Sequence, residues 1–199
     1  TTVSGMVDRC VFRPRKTTDH KRSPGRLRIV YPSGFNGVRK GLLRFIRPVR
    51  DILRHNSELE LVILGGFDTS VRILVDQELE PVHSRVRFEN WLSHDDLLGV
   101  LRDSDIVVLL SLEEGRVYSA LEAIFCGCIP LLSRQCGIDL PDAHIVNNVT
   151  DDREIYIKLS NIIQGICDKR VTHRLLVDTL VDDWNTRSCE RFLDENISY

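Results

Sequence analysis

No stretch of this sequence approaches the ~18 consecutive apolar residues of a membrane-spanning helix, and its first residues carry no signal-peptide pattern. The expectation is a cytoplasmic protein, soluble or resting at the cytoplasmic face of a membrane. The chain does begin abruptly, as a piece of a longer polypeptide would. It also lacks any paired C-x-x-C. The six cysteines are Cys10, Cys126, Cys128, Cys136, Cys167 and Cys189, and of these Cys126 and Cys128 merely flank a glycine inside an apolar run. That favours buried, reduced thiols over a metal site or a disulfide framework. With 27 Lys and Arg against 29 Asp and Glu, the formal charge is −2, too small for global attraction to nucleic acid or anionic lipid, and no nucleic-acid partner is expected. His83, His94, His144 and His173 show no ligand spacing. No G-x-G-x-x-G and no G-x-x-x-x-G-K-[ST] string occurs, which excludes a standard dehydrogenase and a P-loop enzyme.

What is present is an ordinary globular composition, 42% apolar and 28% charged over 199 residues, enough to bury one core. Residues 13–26 (RPRKTTDHKRSPGR) are basic, polar and broken by Pro14, Pro24 and Gly25, so 1–26 reads as a linker or entry segment and 27–199 as the domain. Within the domain, short β-branched runs recur at 27–32 (LRIVYP), 59–66 (LELVILGG), 86–88 (VRF), 106–111 (IVVLLS) and 129–133 (IPLLS). Helix-like stretches separate them. One has apolar residues at 38, 42, 45, 46, 49, 52 and 53, with Pro48 expected to kink or interrupt it. Another starts after Thr69, and a third begins at a capping box of Ser93 and Asp96. Strands apolar throughout, alternating with helices, imply an α/β fold: a doubly wound, Rossmann-like parallel sheet covered on both faces. Residues 151–197 lack strand signals and read as two or three closing helices.

In such sheets ligands bind beyond the carboxyl ends of the strands, so the loops "SGFNGVRKG", "GGFD", "ENWLS" and "LEEGRVYS" are the places to search. In "EEGRVYSALEAIFCGCIP" (113–130), a helix from about Val117 to Cys126 is apolar on almost every face and carries one charge, Glu122. A carboxylate taken inside needs a hydrogen-bonding partner. Glu122 is therefore either an internal cap or partly exposed position, or a ligand group. Glu114 lies eight residues earlier, just before the helix, where free N–H groups and the positive dipole end form an anion site. Read together they suit a ligand anionic at one end and hydroxyl-rich elsewhere, such as a sugar nucleotide.

These residues resemble a known family. Glu114-x7-Glu122, followed by Ala123 and "CGCIP", is similar to the signature of retaining glycosyltransferases of the GT-B fold, in particular the large family four. "VSGMVDRCVFRP" (3–14) resembles the segment entering their carboxyl-terminal domain, "LRIVYPSGFNGVRKG" their first strand and Lys-Gly loop, and "VRFENWLSHDDLLGVLRDSDIVVLLSLEEG" the run leading to their first glutamate. "CERFLDE" resembles their terminal helix. The ordered set covers nearly the whole chain and is specific, whereas E-x7-E alone would be weak.

The resemblance implies one half of a GT-B enzyme, the half that binds a nucleoside-diphosphate sugar. By it, Glu122 takes the ribose hydroxyls and Glu114 faces the donor sugar near the reacting carbon. Backbone N–H groups from Arg116, Val117, Tyr118 and Ser119, next to Gly115, hold the diphosphate. Lys40 neutralises the charge of the leaving phosphate, which is electrostatic stabilisation by groups placed in advance. Gly34 and Arg39 belong to the phosphate loop, and the base lies against Asn90, Trp91 and Leu92. Neither metal nor other cofactor is then required. Asp103-Ser104-Asp105 imitates the D-x-D of metal-dependent glycosyltransferases, but it precedes a strand and reads as helix end and strand entry.

Some features depart from the family. Phe35 stands where an arginine is expected, with Arg39 or Arg116 as substitutes, and Arg116-Val117 replaces the usual Phe-Gly. The amino-terminal, acceptor-binding half has no counterpart here, so that domain, in cis or trans, and a glycan or lipid-linked acceptor are the partners expected. The alternatives are a non-catalytic nucleotide-binding or interaction module and a sugar-nucleotide 2-epimerase relative, against which E-x7-E argues. Arg39, Lys40, Arg44, Arg47, Arg50 and Arg54 give the first helix a basic side, read as a solvated face or as attraction to acidic lipid or a partner domain.

Overall fold

The computed structural model describes residues 7, 11–14, 26–34, 38–66, 68–113, 117–138 and 140–168. Six strands form one sheet: β1 (Leu27–Pro32), β2 (Leu59–Leu64), β3 (Val86–Glu89), β4 (Ile106–Leu109), β5 (Ile129–Ser133) and β6 (Ile145–Val146). Their spatial order is β3-β2-β1-β4-β5-β6, and every neighbouring pair is parallel. Among the described residues the α-helices are α1 (Leu42–His55), α2 (Thr69–Leu79), α3 (His94–Arg102), α4 (Tyr118–Cys126) and α5 (Asp152–Cys167). α1 packs on α2 and α5, and α3 packs on α4. The order places α1 and α2 on one face and α3 and α4 on the other, because right-handed crossovers stepping from β1 to β3 run one way across the sheet and those from β3 to β4 and β4 to β5 run the other; α5, after β6, packs back on α1.

The five expected strands are present. β1, β4 and β5 are buried almost throughout because both faces are covered. β6 went unread in the sequence because two residues carry no period.

The helix expected to break at Pro48 runs unbroken from Leu42 to His55. Phe45, Ile46, Val49, Ile52 and Leu53 bury one continuous stripe against the sheet on both sides of the proline. The carbonyl that loses its N–H partner is that of Arg44, on an exposed residue. The basic side of α1 is partly neutralised: Arg47 and Arg50 pair with Glu78 of α2 at 3.3 and 2.6 Å. Ser93 caps α3 as expected, its hydroxyl accepting the Asp96 N–H and donating to the Asp96 carboxylate. Asp68 caps α2 by accepting from the Ser70 N–H.

Of the closing segment, the described part is α5, capped by Asp151, which accepts from the N–H groups of Arg153 and Glu154. The rest of it, "CERFLDE" included, lies outside the described residues. So does most of 1–26, but Phe12 is buried edge-on against His94, and the Arg102 guanidinium donates to the carbonyls of Val11 and Arg13. Among the described residues no helix is long and apolar enough to cross a membrane. Cys126, Cys128 and Cys136 are buried and Cys167 is exposed, none of the four in a disulfide. Burial pushes the Cys126 thiol up to about 11.

Candidate functional site

Between β1 and β4 the chain changes winding direction. Strands numbered upward from β1 lie on one side and β4 to β6 on the other, so the loops after β1 and β4 part and leave a crevice at the carboxyl edge of the sheet. A cavity of about 240 Å³ occupies it, lined by Pro32, Gly34, Lys40, Leu64, Gly65, Asn90, Trp91, Leu92, Leu97, Leu101, Ser119 and Glu122. The Asp103-Ser104-Asp105 triplet sits at the opposite edge. Asp103 ends α3, and the Asp105 carboxylate accepts the Arg28 backbone N–H at the start of β1.

Close backbone approach shapes the floor. Gly65 adopts φ +114°, and a Cβ there would lie 2.4 Å from the Gly34 carbonyl oxygen, so the loops after β1 and β2 touch only because Gly65 carries no side chain at the contact. Gly41, at φ +80°, precedes α1; a Cβ there would fall 1.8 Å from the Leu110 carbonyl oxygen. That contact draws the turn after β1 against the segment after β4 and carries Lys40 across the crevice. The Lys40 ammonium donates to Ser119 Oγ at 3.1 Å, in the first turn of α4.

Among the described residues, Val117, the N-cap residue of α4, makes no side-chain cap hydrogen bond, and the first turn holds no acidic residue, which suits the positive end of the helix dipole to an anion. Glu122 follows Ser119 by three residues and so lies on the same side of α4 one turn on. It is half-buried. Burial raises its carboxyl above the ordinary carboxylate range, against the smaller downward pulls of His94 and Lys40. The wall opposite is apolar, made by Pro32, Leu64, Leu92, Leu97 and Leu101, with Trp91 60% exposed at its rim.

The cavity thus gathers seven of the residues singled out in the sequence: Gly34, Lys40, Asn90, Trp91, Leu92, Ser119 and Glu122. It leaves out three others. Arg39 is exposed, and its guanidinium donates to the Glu113 carbonyl at 2.8 Å, tying one loop to the other. Val117 is buried in the core, and Tyr118 does not line the cavity. Glu114, Gly115 and Arg116, like Phe35, lie outside the described residues. Gly65 comes from the "GGFD" loop; Pro32, Leu64, Leu97 and Leu101 were not foreseen, because an apolar residue at a strand end or on a helix looks like core until the fold leaves space beside it.

Comparison with known proteins agrees with this geometry. The profile of the glycosyl transferases group 1 family matches residues 26–164. No curated protein sequence matches the chain. The C-terminal domain of a glycosyl transferase group 1 family protein (LpcC) from Francisella tularensis is similar in fold, with a TM-score of 0.73 at 22% identity over 87% of this chain and 97% of that one. The catalytic domain of the cholesterol-α-glucosyltransferase from Helicobacter pylori gives 0.65 at 14% identity, covering 78% of this chain and 98% of that one. The α,α-trehalose-phosphate synthase (UDP-forming) from Burkholderia vietnamiensis gives 0.64 at 15% identity over 86% of this chain, which spans only 45% of that enzyme. These likenesses establish the fold, one half of GT-B, and the profile match over most of the chain establishes the kinship: the chain belongs to the glycosyl transferases group 1 family.

Proposed function

We propose that this chain is the donor-binding half of a glycosyltransferase that moves a sugar from a nucleoside diphosphate to an acceptor with retention of anomeric configuration. One observation carries the reading: Lys40 reaches across the strand-order switch to Ser119 in the first turn of α4, while Glu122, one turn further, lines the same cavity. A diphosphate at the helix start would meet N–H groups, the Ser119 hydroxyl and the ammonium. The ribose would then fall beside Glu122, whose carboxylate accepts from hydroxyls, and the base would rest on the apolar wall by Asn90, Trp91 and Leu92. The ammonium opposes the negative charge that builds on the leaving phosphate as the sugar–oxygen bond breaks. On this reading no metal is required. Glu114 keeps the role the resemblance gives it, facing the donor sugar, and the acceptor, a glycan or a lipid-linked sugar, is brought by an amino-terminal domain.

The test is a titration of UDP, GDP and ADP, and of the matching nucleosides, against wild type, Lys40→Ala and Glu122→Ala, read by thermal shift and calorimetry. Lys40→Ala should lose most diphosphate affinity and spare the nucleoside. Glu122→Ala should weaken both by roughly 1 to 3 kcal/mol, the usual cost of a lost buried hydrogen-bonding partner. If no nucleoside diphosphate stabilises the wild-type chain, the reading fails and a non-catalytic relative is favoured.

A further inference from the structure

We propose that Tyr31 is a positioning residue, one that sets Lys40 for the diphosphate by pinning the turn from which the lysine projects; the inference rests on the donor-binding reading above. Tyr31 lies near the end of β1 with no exposed surface, its ring stacked on Phe45 of α1 at 5.0 Å and 20°. Its hydroxyl donates to the main-chain carbonyl of Lys40. A wholly buried phenol in an apolar layer costs more than a phenylalanine unless the hydroxyl is satisfied. Here the hydroxyl is satisfied by the turn that follows β1, so the ring buried in the core holds that turn at Lys40.

The strand pairing locates the need. β1 pairs with β2 along its whole length, to Pro32. It pairs with β4 only through Ile29 and Val30. Beyond Val30 no further β1–β4 pairing forms, and side-chain and loop contacts take over from the ladder there. These are the Leu112 N–H donating to the Arg39 carbonyl at 2.9 Å, the Arg39 guanidinium on the Glu113 carbonyl, and Gly41 packed on the Leu110 carbonyl. Tyr31 is the strut anchored in the core, and it grips the carbonyl of the lysine itself. A lysine carries a long flexible stem. Fixing the backbone at its root narrows the space its ammonium samples, which keeps it beside Ser119 before a ligand arrives.

Tyr31→Phe keeps the ring and the stack and removes only the strut. The experiment measures three quantities in wild type and variant: affinity for a nucleoside diphosphate, affinity for the matching nucleoside, and amide exchange at Leu112 with the β2 amides as reference. The variant should lose about tenfold in diphosphate affinity, in keeping with one lost hydrogen bond to a buried acceptor, and should hold nucleoside affinity. Leu112 exchange should quicken while exchange in β2 stays unchanged. Equal diphosphate affinity, or unchanged Leu112 exchange, overturns the proposal. So does a uniform loss of both ligands with faster β2 exchange, since that marks a damaged core. A wild-type chain that binds no diphosphate refutes the donor-binding reading instead, and Leu112 exchange then decides alone whether Tyr31 holds the turn.

Discussion

Glu122 is a carboxylate that the protein leaves half in water and half in the interior, and its titration follows from that position. Burial raises its folded-state pKa above the ordinary 4.5, with His94 and Lys40 pulling the other way by less. A raised folded value means the folded chain holds this proton more tightly than the unfolded chain. The stabilising contribution is therefore complete below the ordinary carboxylate value and is lost as pH rises through the raised one. Glu122→Gln, which never ionises, should match wild-type stability in acid and exceed it at neutral pH; thermal unfolding of both proteins from about pH 4 to about pH 8 reads the difference. Hydroxyl donors favour the ionised carboxylate. Nucleoside affinity should thus rise across that pH window in wild type and stay flat in Glu122→Gln.

At the level of elements, the glycine that starts α1 carries more of the site than its lack of side chain suggests. Gly41 combines a left-handed backbone with contact against the Leu110 carbonyl, where a Cβ would sit 1.8 Å from the oxygen. Gly41→Ala should cost roughly 2 to 4 kcal/mol, adding a positive-φ penalty to overpacking against backbone that has no rotamer to escape into. Urea unfolding would record it as a lower midpoint with an unchanged slope. Helices α1 and α3 are legible in the sequence alone, because α1 spaces its apolar residues at helical intervals and α3 begins at a Ser-x-x-Asp cap. At Pro48 the local rule fails, because the buried stripe of the helix overrides it. Arg39 has the charge and the loop position of a phosphate ligand, and one of its guanidinium nitrogens also donates to the Glu113 carbonyl.

For the whole molecule, the solved relatives fall into two sizes. This chain spans nearly all of the two isolated domains from Francisella tularensis and Helicobacter pylori, and less than half of the trehalose-phosphate synthase. On the proposed reading the cavity is one wall of a cleft. The isolated 199 residues should bind a nucleoside diphosphate weakly, since nothing closes over the sugar to exclude water. They should transfer nothing measurable, because orienting the acceptor supplies on the order of 7 to 11 kcal/mol of the barrier reduction in a two-substrate reaction. Adding an amino-terminal acceptor-binding domain should restore transfer, and the anomeric configuration of the product, read by NMR, should be that of the donor. Full-rate transfer by the isolated chain, or an inverted product, would refute the reading.

By itself the sequence determined the alternation of apolar strands with helices, the parallel sheet that follows from it, and the kinship carried by "LRIVYPSGFNGVRKG" and the stretch around Glu122. Those properties are local or additive along the chain: period, burial of both strand faces, a cap, a spacing. Tertiary structure alone decided which groups meet. Lys40 and Ser119 are 79 positions apart and join only because β4 returns to the far side of β1, and Tyr31 looks like any core aromatic until the fold sets its hydroxyl against the Lys40 carbonyl. The apolar half of the cavity was hidden for the same reason. A leucine signals burial whatever it is buried against, and only the fold settles whether Leu64, Leu97 and Leu101 face another side chain or a space of about 240 Å³.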